Sequence, residues 1–111
     1  MSIDERLATY GTLAPGRVNH HHLADLTGRW IPGSVTGHLV QRGWGATLGY
    51  PALIPAPDGT EVEVHLFLSP DLPYHWSRLD AFEGAEYRRA RIDVLTPEGV
   101  MKAWIYLDAQ P

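Results

Sequence analysis

The strongest constraint on this chain is the alternation of apolar and polar residues over short segments bounded by glycine and proline. Residues 30–40, 62–67, 87–96 and 100–107 alternate with a period of two, which sends successive side chains to opposite faces of a strand. Asp58-Gly59 and Pro97-Glu98-Gly99 fall at the ends of such segments as hairpin turns. Leu7-Ala8-Thr9-Tyr10 is a further short strand, stopped by Gly11. Tyr50-Pro51-Ala52-Leu53-Ile54-Pro55 is extended, because its prolines exclude a helix. The 30–40 strand is expected to bend or bulge near Pro32-Gly33 and Gly37. Residues 42–49 hold three glycines and read as a loop. The order of elements predicts an α+β fold, a small mixed β-sheet or barrel with flanking helices, over one domain at 1–111.

Helical spacing dominates one segment, residues 70–83, where Leu72, Trp76, Leu79 and Phe82 recur on one face. Ser69-Pro70 supplies a hydroxyl cap and a proline at the first helical position. Gly84 is placed to end the helix in a left-handed cap. Glu83 therefore falls at the helix C-terminus, where the macrodipole disfavours a carboxylate. With Asp80 one turn back, its pKa is expected to rise, which suits a group that shuttles protons at neutral pH. The other reading is a solvated glutamate that tolerates the dipole. Asp80 reads as structural, paired with Arg88 or Arg89 or capping a loop. A short helix is expected from His20 to Leu26, capped by Asn19 and ended by Gly28.

The composition narrows the function classes. Thirteen acidic residues against nine basic ones give a formal charge of −4 with no basic run, which argues against a nucleic-acid partner. The absence of cysteine excludes disulfides, cysteine nucleophiles and thiolate metal sites, and suits a reducing cytoplasm. No apolar run approaches the length of a membrane span, and the first residues lack the plan of a signal peptide. A cytoplasmic monomer or small homo-oligomer is the expectation. His20-His21-His22 cannot all face one ion from a helix, so they read as a polar helix surface and no metal site is expected. The chain has no nucleophile elbow, P-loop or dinucleotide fingerprint. The four tryptophans Trp30, Trp44, Trp76 and Trp104 read as core and pocket walls.

Tyr10-Gly11-Thr12-Leu13 directly follows a strand. A glycine there lets the backbone approach a ligand, and successive amides can hold a carboxylate or a developing oxyanion. An ordinary strand-to-loop turn has the same pattern. The ring of Tyr87 is expected in the core.

Taken in order, four landmarks resemble the γ-glutamylcyclotransferase-like (avirulence-induced-gene-like) family. They are Tyr10-Gly11-Thr12-Leu13 with Gly16 and Asn19; Gly33-x-Val35-x-Gly37-x-Leu39; Tyr50-Pro51-Ala52-Leu53; and Leu79-Asp80-x-Phe82-Glu83-Gly84-x-x-Tyr87-x-Arg89. Ala103-Trp104-x-Tyr106 also fits, so the resemblance covers nearly the whole chain. It implies a small mixed barrel whose Tyr10, Gly11, Thr12 and Leu13 bind the γ-glutamyl part of a substrate, largely through backbone groups. It makes Glu83 the acid–base residue and sets Tyr87 with the substrate-binding residues; Glu86, beyond the glycine, is not the equivalent. The implied reaction releases 5-oxoproline and a free amine from a small-molecule γ-glutamyl amide, without metal or other cofactor. A non-catalytic metabolite-binding module and an amide hydrolase are the alternatives on the same fold. Val64 stands where such proteins often have glycine, and the loop at residues 43–49 is long. Val64, His65 or a neighbouring side chain is expected to narrow or reshape the cavity, and both departures bear on substrate identity more than on the site itself.

Overall fold

A computed structural model of the protein describes residues 2–11, 13–41 and 51–109. Thr12, Tyr50 and the expected loop at 42–49, with Trp44, lie outside the described residues. In chain order the elements are β1 (Arg6–Thr9), α1 (His21–Ala24), β2 (Arg29–Gln41), β3 (Pro51–Pro55), β4 (Thr60–Leu68), α2 (Trp76–Glu83), β5 (Tyr87–Thr96) and β6 (Gly99–Asp108). Short 3₁₀ turns at Ile3–Glu5 and Leu72–Tyr74 precede β1 and α2.

Five strands close a mixed barrel in the order β2, β4, β1, β6, β5 and back to β2, and β3 extends the sheet from the far part of β2. β1 runs antiparallel to β4 and parallel to β6, with Leu7 opposite Trp104. The seam is narrow: Ser34 of β2 meets Leu95 of β5. Gly33 makes that approach possible, since a Cβ there would lie 2.6 Å from Val94 Cγ1. The expected bulge near Gly33 and Gly37 is absent. β2 and β4 keep one register from Arg29↔Leu68 to Gly37↔Thr60, so no extra residue interrupts this pair, and Gly33 serves close packing between strands.

Alternation on β4 sends Val62, Val64 and Leu66 into the barrel, where they pack with Ala8, Val35 and Ile105. Val64 is buried in that core, whereas His65 faces out. A second apolar cluster lies outside the barrel wall. There Leu7, Phe67 and Tyr106 meet Leu23 of α1 and Trp76 and Leu79 of α2. Among the described residues no helix is long and apolar enough to cross a membrane.

Two helix expectations need correction. The segment 70–83 is not one helix, because Pro73 lacks an N–H and its ring conflicts with the carbonyl four residues back. The chain forms a 3₁₀ turn, with the Ser69 hydroxyl accepting from the Asp71 amide at 3.1 Å, and the α-helix starts only at Trp76. α1 is likewise confined to His21–Ala24, with His20 rather than Asn19 at its N-cap position.

Candidate active site

Glu83 is the last residue of α2, and Gly84 ends the helix with φ +75° and ψ −171°. The positive φ agrees with a glycine stop, but the ψ is extended rather than left-handed, a region essentially restricted to glycine. Gly84 still donates to the Asp80 carbonyl at 3.1 Å, closing the final turn. The chain then turns directly into β5, which leaves Glu83 folded back against the barrel. Burial pushes its carboxyl from 4.5 up to about 7. The expected direction is therefore present, but burial is the cause, and Asp80 is not. Among the described residues the Glu83 carboxyl makes no hydrogen bond or ion pair.

Three phenols surround it within electrostatic reach. Tyr10, Tyr87 and Tyr106 each have a raised pKa, first from burial, with the Glu83 charge adding to each. Asp108, at the end of β6 and opposite Tyr87 in the β5–β6 ladder, adds to Tyr10 and Tyr87 as well. The expected site residues Glu83, Tyr10 and Tyr87 thus share one neighbourhood at the end of the barrel. Tyr87 is half-buried against the outer apolar cluster, so its ring lies at the edge of the core rather than within it as expected.

Tyr10 faces the barrel interior, and its phenol is committed to the main chain. It donates to the Tyr106 carbonyl and accepts from the Leu53 amide at 2.9 Å. β1, β3 and β6 are thereby joined at the point where β1 passes into the loop. Beyond Tyr10, Ala14 N–H donates to the Gly11 carbonyl at 3.2 Å, and the Leu13 side chain is buried under the helices. His20 Nδ1 lies 3.0 Å from the Leu13 carbonyl. The histidine run is therefore more than a polar surface: its first member contacts the loop, and the His22 ring packs tilted against Phe82 with centroids 4.1 Å apart. A Cβ at Gly11 would meet nothing within 4 Å, so the loop backbone is open on that side. Thr12 belongs to the same set but lies outside the described residues.

Asp80 has the structural role the sequence suggested. It takes a forked contact from Arg89, with Nε to Oδ1 at 2.8 Å and Nη2 to Oδ2 at 3.2 Å, and accepts from Tyr106 Oη at 2.7 Å. Burial alone would raise the Asp80 carboxyl, but these hydrogen bonds and the Arg89 charge outweigh it and hold it low. Local pattern assigns no role to Tyr106, Asp108 or Asp4; Tyr106 is visible only within the Ala103-Trp104-x-Tyr106 segment, and the other two carry no signal.

A small mixed barrel closed between β2 and β5, with a parallel β1–β6 pair and a half-buried carboxyl at the end of a short helix, defines a fold with known relatives. The chain belongs to the gamma-glutamyl cyclotransferase, AIG2-like family, whose model matches residues 7–111. No curated protein matches the sequence significantly. Among solved structures, YkqA of Bacillus subtilis is 25% identical with a TM-score of 0.74, covering 94% of this chain and 35% of YkqA. The chain thus spans about a third of that relative. An AIG2-like protein of Mus musculus has a TM-score of 0.75 at 23% identity, over 95% of this chain and 77% of the mouse protein. The S177A form of Kluyveromyces lactis allophanate hydrolase has a TM-score of 0.65 at 12% identity, over 93% of this chain and 17% of the hydrolase. Likenesses at such low identity speak for the fold alone. The barrel with its extra strand and two helices is the AIG2-like fold.

Proposed function

We propose that this protein is a γ-glutamyl cyclotransferase with Glu83 as its proton shuttle. The substrate is a small γ-glutamyl amide whose own α-amine attacks the γ-carbonyl. A bond forms between the α-nitrogen and the γ-carbonyl carbon, the bond from that carbon to the amide nitrogen breaks, and 5-oxoproline and a free amine leave. The nucleophile is tethered, so holding a folded conformer supplies much of the rate enhancement. One proton must travel from the α-nitrogen to the leaving nitrogen. Glu83 accepts it as base and returns it as acid, and a carboxyl titrating near neutrality serves both steps. Backbone amides at residues 11–13 are suited to fix the substrate carboxylate or steady the oxyanion. Tyr87, within electrostatic reach of Glu83, is assigned to the same site in this proposal.

The observation that carries this reading is the half-buried Glu83 carboxyl, free of hydrogen bonds among the described residues and pushed up to about 7. Membership of the cyclotransferase-like family supports it. The test is turnover of a panel of γ-glutamyl amines and peptides by wild type and Glu83→Gln, with products identified by mass spectrometry. The expectation is 5-oxoproline from wild type and a loss of about 100-fold or more in the variant. Free glutamate in place of 5-oxoproline would make the protein a hydrolase. Binding without turnover, or full activity in the variant, would end the mechanism.

A further inference from the structure

Apolar packing anchors the start of α2 but not its end. Trp76 and Leu79 are its buried residues, while the turn carrying Glu83 contributes the half-buried Phe82. A helix of eight residues does not hold its own ends in water. Polar contacts occupy this gap. Asp80 is gripped by the Arg89 fork from β5 and by the Tyr106 hydroxyl from β6. Arg89 is itself clamped between two indoles, 4.5 Å above the Trp76 ring and 4.6 Å from the Trp104 ring.

Both indoles are fixed by one residue near the N-terminus. Trp76 Nε1 donates to the Asp4 carbonyl at 2.9 Å, and Trp104 Nε1 to Asp4 Oδ1 at 2.8 Å. On the other side the path continues from Tyr106 through its carbonyl to the Tyr10 phenol and on to the Leu53 amide. One connected set of contacts therefore joins the helix turn that bears Glu83 to the strand end that bears the 10–13 loop.

We propose that Asp80, Arg89 and Tyr106 are positioning residues that pin the last turn of α2 to the barrel, holding the Glu83 carboxyl in its half-buried place within electrostatic reach of Tyr10. The proposal rests on Glu83 being the shuttle, and it makes a statement that can be checked without any substrate. If the pin is broken, the turn swings outward, Glu83 gains solvent, and its titration falls toward the ordinary carboxylate range.

Arg89→Gln decides between movement and electrostatics. Removing the cation leaves Asp80 uncompensated, which by charge alone would push Glu83 further up; release of the turn brings it down. The charge-neutral Tyr106→Phe removes one hydroxyl and keeps the ring, so it remains informative if Arg89→Gln does not fold. Glu83 is followed by ¹³C carboxyl NMR across pH in folded wild type and variants. The expected result is a fall of about one pH unit or more in Arg89→Gln and a smaller fall in Tyr106→Phe. In turnover, kcat is expected to drop about 10- to 100-fold with KM little changed, and the drop to vanish in a Glu83→Gln background. A network that only stabilised the fold would lower the melting temperature and leave the Glu83 titration unmoved, and that result overturns the proposal. A moved titration with no cyclotransferase activity would remove the functional reading and leave the pin standing. Activity that depends on Glu83, with a titration the variants do not shift, would do the reverse.

Discussion

Replacing Glu83 by glutamine should stabilise the protein, and the gain should appear only as pH rises. Below 4.5 the carboxyl is protonated in both the native and the unfolded chain, so glutamine replaces a neutral group of the same shape. Between 4.5 and about 7 the folded protein keeps the Glu83 proton while the unfolded chain releases it. The native state then binds more protons than the unfolded state, so stability falls with rising pH, by about 1.4 kcal/mol per pH unit. Above about 7 the native carboxyl is ionised too, and the loss levels off. The full span corresponds to about 3 kcal/mol; Glu83 is half-buried rather than sealed, so about 2 kcal/mol is the working figure. At roughly 4–8 °C per kcal/mol for a chain near this size, the variant should melt about 10 °C higher at pH 8. Urea unfolding of both proteins at about pH 4 and about pH 8 gives the comparison, with stabilities converging at the acid end. Parallel pH profiles, or a variant less stable than wild type in alkali, would refute the burial argument. A gain in stability accompanied by loss of turnover is the trade expected of a functional residue in a strained environment.

Two further substitutions probe how the site is held. Tyr10→Phe strips the acceptor from the Leu53 amide and the donor from the Tyr106 carbonyl, so it should destabilise by about 1–3 kcal/mol in urea unfolding. If the phenol is a strut rather than a substrate ligand, KM in the folded variant stays close to wild type. Gly84→Ala introduces a Cβ into open space, yet the backbone there adopts φ +75° with extended ψ. The cost, about 1–3 kcal/mol by thermal unfolding, is therefore conformational, and a much smaller cost would mean that the helix end rearranges.

Local pattern made the strands of the barrel legible and left its closure hidden. β5 spans Tyr87–Thr96, as alternation and the Pro97-Glu98-Gly99 turn predict, because both ends are set by nearby residues. Pattern alone overextends α2, because Leu72, Trp76, Leu79 and Phe82 recur at helical spacing across Pro73, which splits the segment. Gly33 stands out in the sequence as a strand glycine, but its partner does not. Its use is the approach of β5, a contact between residues far apart in the chain. The parallel meeting of β1 with β6 is of the same kind, as is Asp4, which acquires partners only when Trp76 and Trp104 arrive beside it. Glu83 was visible because it offends the helix dipole, but its burial is a tertiary fact that no local rule contains.

Asp80 and Glu83 show what that tertiary context adds. Three residues apart on one short helix, they have the same carboxyl chemistry and opposite surroundings. Asp80 receives the guanidinium fork and a phenol and is held ionised; Glu83 receives burial and is pushed up. Environments that drive two neighbouring acids apart in pKa are how one site comes to hold a fixed charge and a movable proton. The separation depends on where Arg89 ends up. If its fork reached Glu83 instead, that carboxyl would stay ionised near neutral pH and could no longer return a proton to a leaving amine. The indoles of Trp76 and Trp104, fixed by Asp4, hold the cation on the Asp80 side of the turn. On this reading the clamp around Arg89 serves the proposed chemistry twice, by pinning the helix end and by keeping a positive charge away from the proton shuttle.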